Sequence, residues 1–103
     1  MTLYATEWTQ GVLMRVAGER WQQDQTWGPA TERGHEPEEW LTILAEEVGE
    51  VARAILDYRY GGNPASAREQ IEREAIQVAA VAVALVESLR AGAVAEPPEE
   101  ESK

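Results

Sequence analysis

Apolar residues return along this chain at alternating steps of three and four, the spacing of one helix face. No run sustains the apolar–polar alternation of a half-buried strand. A first helix is predicted over residues 3–25, with Val12, Leu13, Val16, Ala17 and Trp21 as its apolar side. Residues 26–36 (TWGPATERGHE) read as a loop, punctuated by Gly28-Pro29 and Gly34. A second helix should start at Pro37, since proline suits the first helical position and Glu38 and Glu39 favour the positive end of the dipole. Its stripe is Leu41, Leu44, Val48, Val51 and Ile55, and Gly61-Gly62 should end it. Asn63-Pro64 then reads as an N-cap and first position, with Ser66 and Glu69 offering an alternative capping box.

The third helix carries Ile71, Ala75, Val78, Ala82, Leu85 and Leu89 at the same spacing and should end near Gly92. Over residues 75–86 (AIQVAAVAVALV) it is apolar nearly all round, with Gln77 the sole polar residue. Such a helix is expected to be surrounded by protein. Two further helices from so short a chain struggle to wrap it, so a subunit interface is inferred, where the alanines permit close approach. The expectation is therefore an all-α fold of three main helices per chain, completed by dimerisation. Residues 1–95 form the single domain, and residues 96–103 (EPPEEESK) read as an acidic, disordered tail.

Charge narrows the partners. At 103 residues, 19 Asp and Glu against 9 Lys and Arg leave a formal charge of −10. That balance argues against nucleic acid or an anionic membrane surface, and favours cations or anions bridged by cations. The one lysine is the last residue, so an anion-binding group would come from the arginines, His35 or backbone N–H groups. No cysteine is present, which excludes disulfides. The start MTLYATEWTQ lacks a signal peptide's basic end and apolar core, and no stretch is long enough to span a bilayer. A soluble, cytoplasmic protein is expected.

Within this pattern ILAEEVGEVAR (residues 43–53) places three glutamates, Glu46, Glu47 and Glu50, within one and a half turns. Like charges so close repel. Either they share a solvated helix face or something holds them. At about 100° per residue, Glu47 flanks the predicted stripe, Glu50 lies about 60° further round, and Glu46 lies beyond it. On the third helix Glu74 borders the apolar face, with Gln77 one turn on. Two antiparallel helices packed through these stripes bring Glu47, Glu50, Glu74 and Gln77 together. Carboxylates at i and i+3 on facing helices are how bundles hold hard cations, and Mg²⁺ takes oxygen ligands while keeping several waters. A lone amide in an apolar run needs either a hydrogen-bond partner, such as one across a dimer, or a ligand role.

These residues resemble the motif of the MazG-like all-α nucleotide pyrophosphohydrolases, relatives of the dimeric dUTPases: EExxE, a spacer, then ExxD on consecutive helices. EEVGE (residues 46–50) matches the first half in full, and EAIQ (residues 74–77) matches the second with Gln in place of Asp. Upstream, RWQQDQTWG followed by His35 and Trp40 is similar to a small single-domain branch of that group. The resemblance covers about residues 19–89. It implies a helical bundle built by homodimers, sometimes paired into homotetramers. The implied activity is Mg²⁺-dependent (or Mn²⁺-dependent) hydrolysis of nucleoside or deoxynucleoside triphosphates to monophosphate and pyrophosphate. By position, Glu47, Glu50 and Glu74 would ligate the metal, with Gln77 at the fourth place. Glu46 would take a second metal or, with Glu47, serve the attacking water. An amide at position 77 still offers an oxygen, but it carries no charge and cannot act as a base.

Four other residues are candidates for the nucleotide itself. Trp27, in its Gly-flanked segment, can stack on a base or cap the core. His35 can contact phosphate or base, or serve as a cap. Arg53 and Arg73, like Arg59 and Arg68, can reach phosphates or pair with surface glutamates. Three functions follow: the hydrolase, a nucleotide- or metal-binding homologue without turnover, and a structural helical dimer.

Overall fold

The computed structural model describes residues 6–96, and over that span the chain is all-helical, with no strand among the described residues. Helix α1 runs Glu7–Trp27, α2 Pro37–Tyr60 and α3 Pro64–Arg90. The predicted start of the first helix at residues 3–5 and the tail over residues 97–103 lie outside the described residues.

Local chemistry sets each boundary. Thr6 caps α1, its Oγ1 accepting from the Thr9 N–H at 3.1 Å. The far end lies two residues beyond the predicted one, at Trp27, because the stop is Gly28 at φ +86°, a conformation glycine adopts without a Cβ penalty. Trp27 is thus helical, not a loop residue. Glu39 opens α2 by accepting from the Glu36 N–H at 3.1 Å. Gly61 closes it through a 2.6 Å hydrogen bond to the Asp57 carbonyl, so close that a Cβ there would stand 2.3 Å from that oxygen. For α3 the Asn63 cap is the one used, its Oδ1 accepting from the Ser66 N–H at 3.2 Å.

Helix α3 is the middle of the molecule and packs on both others, while α1 and α2 do not pack on each other. Helix α2 runs antiparallel to α3: Trp40 meets Val81 and Ala84 near one end, and Glu47 and Glu50 meet Glu74 further along. Helix α1 runs in the same direction as α3, joined to it by Arg15–Glu72, Glu19–Gln77 and Arg20–Glu87. Two small cores result, one of Val16, Ile76 and Ala80, the other of Trp40, Ala30, Val81 and Ala84.

The inward faces differ from the predicted ones. On α2 the stripe toward α3 is Trp40, Leu44, Glu47, Val51 and Ala54, with Trp40 and Ala54 fully buried. Three members of the predicted stripe, Leu41, Val48 and Ile55, are 68%, 51% and 48% exposed. On α3 the buried positions are Ile76, Ala80, Val81, Ala84 and Ser88, whereas Ala75, Ala82 and Leu89 face outward. Ala80 and Ala84 are the alanines of α3 that the chain itself buries. On α1 only Val16 of the predicted apolar side is buried; Val12, Leu13, Ala17 and Trp21 are exposed. A radius of gyration of 16.7 Å, against roughly 13 Å for a compact 100-residue domain, reflects the same open arrangement.

Polar contacts fasten the loop between α1 and α2. Ser88 Oγ, fully buried, donates to the Ala30 carbonyl at 2.5 Å. Asp24 Oδ1 accepts from the Ala30 N–H and from Arg33 Nη2. Beneath it Arg20, only 7% exposed, forks onto Glu87 at 2.6 Å and pairs with Asp24 at 2.9 Å. Burial alone would lower the Arg20 pKa, but the bonds to Glu87 and Asp24 outweigh it and raise it. No helix among the described residues is long and apolar enough to cross a membrane.

Candidate functional site

Because α1 and α2 diverge on either side of α3, a cleft of about 550 Å³ opens between them. Gln23 and Trp27 line it from α1, Glu46 and Glu47 from α2, and Gln77 from α3. Arg33 and His35 of the loop close it on one side, and Trp40 also lines it. Trp40 and Glu47 are seven residues apart on one helix, about 10 Å along its axis. One end is therefore aromatic and the other acidic.

At the acidic end Glu47, Glu50 and Glu74 each offer an oxygen, and these three oxygens lie within 4.8 Å of one another. Glu47 and Glu74 are half-buried and Glu50 is exposed. Burial pushes the Glu47 carboxyl above its usual range, and the charges of Glu74 and Glu46 push it further. The Glu50 carboxyl is also raised, first by its hydrogen bond with Glu74 and then by the charges of Glu47 and Glu74. Glu47 Oε2 is buried with no hydrogen-bond partner. Such a group costs about 1–3 kcal/mol unless a cation or proton meets it. Ligand oxygens around an octahedral Mg²⁺, at about 2.1 Å from it, stand about 3–4 Å apart. The three carboxylates thus suit a hard divalent cation in donor type and spacing. Gln70 Nε2 donates to Glu74 Oε1, and Arg73 Nη2 donates to Gln70 Oε1, which ties the third carboxylate to its own helix.

The remaining candidates fall on both sides of expectation. Glu46 is exposed at the cleft beside Glu47. Gln77 is at the cleft too, but its amide is engaged: Nε2 donates to Glu19 Oε2 at 2.6 Å. A carboxylate only accepts, so Oε1 is the free end of that amide. Trp27 does not cap the core; its indole is 71% exposed. His35 meets the Trp40 ring edge-on at a centroid distance of 5.1 Å, and its Nδ1 lies 3.2 Å from the Glu39 carboxylate. Arg53 and Arg73 do not line the cleft. The cation that does is Arg33, whose Nε donates to the Gly28 carbonyl and Nη2 to Asp24. Sequence reasoning missed Arg33, Gln23 and Glu19, because nothing in their spacing sets them apart from surface residues. Trp40 carried a signal, as a lone tryptophan at a helix start, that marked it only as part of the resemblance.

Comparison with protein-family models, curated proteins and solved structures finds no match for this chain.

Proposed function

We propose that this chain is a divalent-cation-dependent nucleoside triphosphate pyrophosphohydrolase of MazG-like type, adding water across the α–β phosphoanhydride to give monophosphate and pyrophosphate. The observation that carries the reading is the convergence of Glu47, Glu50 and Glu74 from two helices beside a cleft with an aromatic far end. These three carboxylates would hold Mg²⁺ or Mn²⁺, with Gln77 one turn along α3 from Glu74. A bound cation supplies neutralisation of phosphate charge and a more acidic water. Glu46, exposed next to Glu47, offers a carboxylate that would take up a proton from an attacking water. The exposed Trp27 indole offers a face for a base.

A second copy of the chain covers the outer apolar faces in this reading. Leu41, Val48 and Ile55 on α2 and Val12, Leu13 and Trp21 on α1 are more apolar surface than a monomer ordinarily leaves to water. Light scattering on the purified chain should give a dimer or a dimer of dimers; a monomer at micromolar concentration removes this part of the proposal.

The decisive assay is pyrophosphate release from a panel of NTPs and dNTPs with Mg²⁺ and with Mn²⁺. Release that is lost in Glu47→Gln supports the hydrolase, and no release from any nucleotide overturns it. A binding protein without turnover is favoured by one observation, the tethered amide at Gln77 where a carboxylate base would stand. It predicts nucleotide-induced stabilisation with no product. A melting temperature indifferent to metals and nucleotides leaves only the structural dimer.

A further inference from the structure

The aromatic end of the cleft has an unbalanced hydrogen-bonding character. Trp40 is 3% exposed, lines the cleft, and its Nε1–H is buried without an acceptor. An indole can only donate. Arg33 is likewise a donor only; Nε and Nη2 are spent on Gly28 and Asp24, and no bond among the described residues takes Nη1. Gln23 could present either end of its amide, but Oε1 accepts from Arg20 Nη1 at 3.1 Å, which leaves Nε2–H₂ free. Three groups that line the cleft thus carry N–H donors and no free lone pair. His35 complements them: with Nδ1 turned to the Glu39 carboxylate, the neutral ring has Nε2 as its free acceptor.

We propose that this end of the cleft selects oxo-bases (guanine, hypoxanthine, uracil or thymine) over the amino-bases adenine and cytosine. The inference rests on the nucleotide reading of the site. Phosphates beside a cation at the carboxylate end leave the base toward Trp40. The group at purine position 6 or pyrimidine position 4 lies on the side away from the sugar, so it is the one that reaches the donor wall. A carbonyl there accepts from Trp40 Nε1, Arg33 or Gln23, and the adjacent ring N–H has the His35 nitrogen to donate to. An amino group sets N–H against N–H and leaves both unpaired, the situation that polar sites reject most strongly.

The test is isothermal titration of the whole chain, in the presence of Mg²⁺, with dGMP, dIMP and dUMP against dAMP and dCMP. The oxo-bases should bind at least about tenfold more tightly. Trp40→Phe keeps the ring and removes the donor, so the preference should shrink toward unity. Gln23→Glu, which keeps a partner for Arg20 and deletes a cleft donor, should lower it too and guards against a Trp40 variant that fails to fold. Binding of all five nucleotides without preference, or tighter binding of the amino-bases, overturns this inference and leaves the proposed function standing. A preference unchanged in both variants also overturns it. Binding of none of the five removes the nucleotide reading and the inference with it.

Discussion

Gln77 Nε2 on α3 donates a 2.6 Å hydrogen bond to Glu19 Oε2 on α1. The pair is chemically matched, an amide against a carboxylate, so an aspartate at this place would not fit the same neighbour. Gln77→Asp removes the donor and turns a second carboxylate, one methylene shorter, toward the Glu19 carboxylate. It should lower the melting temperature at pH 7, by about 1–3 kcal/mol in stability, and give little gain in turnover. Adding Glu19→Gln should recover most of that loss. A double-mutant cycle by thermal denaturation checks it: strictly additive effects would mean that the two side chains do not interact.

Glu47 and Glu50 titrate above the usual glutamate range, Glu47 through burial first and Glu50 through Glu74 first. A carboxyl raised on folding contributes stability that is full below its unfolded value and is lost as pH rises through the folded value. Without metal, Glu47→Gln should therefore raise the melting temperature at pH 7 and have little effect near pH 4. Mg²⁺ at a hundred times its dissociation constant should stabilise the native chain by about 2.7 kcal/mol and the variant far less. Melting curves with and without a chelator decide both points.

Asp24 carries the opposite sign. Burial works to raise its carboxyl, but the bond and charge of Arg20, with the Ala30 N–H and Arg33, hold it below the usual range. Its contribution is present above the ordinary aspartate value and lost as pH falls through the lowered one. Asp24→Asn should cost stability at pH 7, and the cost should shrink as pH falls through the lowered value. A pH series of melting temperatures in which the two proteins run parallel would contradict this.

The Ser88 hydroxyl is the partner of a carbonyl in a fully buried residue, Ala30. Ser88→Ala should cost about 1–3 kcal/mol by denaturant unfolding, because the Ala30 oxygen is left unsatisfied. It should also loosen the loop that holds Arg33 and His35, read as faster amide exchange there while α3 stays protected.

Gly61 admits no side chain, since a Cβ would meet the Asp57 carbonyl at 2.3 Å. Gly61→Ala should destabilise by about 1–3 kcal/mol, whereas Gly62→Ala, with open space around it, should lie within about 0.5 kcal/mol of the native chain. Equal effects from the two would count against the tight turn.

Much of this architecture was legible along the chain because it depends on neighbours in sequence. Pro37, Gly61 and the Asn63-Pro64 pair mark helix ends through bonds made within four residues, and the three-four spacing of apolar residues is a local property of a helix. The same spacing brought Glu47, Glu50 and Glu74 to attention, and they do meet. Which face of each helix points inward was misread. Helix α2 has two apolar sides, and the inner one carries Glu47 where the pattern would favour an aliphatic residue. Hydrophobicity alone therefore chose the outer side, the usual fate of a stripe interrupted by chemistry.

The sequence by itself determined the number of helices, where they stop to within about two residues, and which carboxylates can share one face, since backbone geometry and capping decide these over a few residues. Only the tertiary structure decided that α3 is the central helix, that Glu19 holds the Gln77 amide, and that Arg33 and Gln23 reach the cleft while Arg53 and Arg73 do not. The Glu19–Gln77 pair alone joins residues 58 positions apart. They depend on how helices rotate and cross when packed, which no periodicity along one segment encodes.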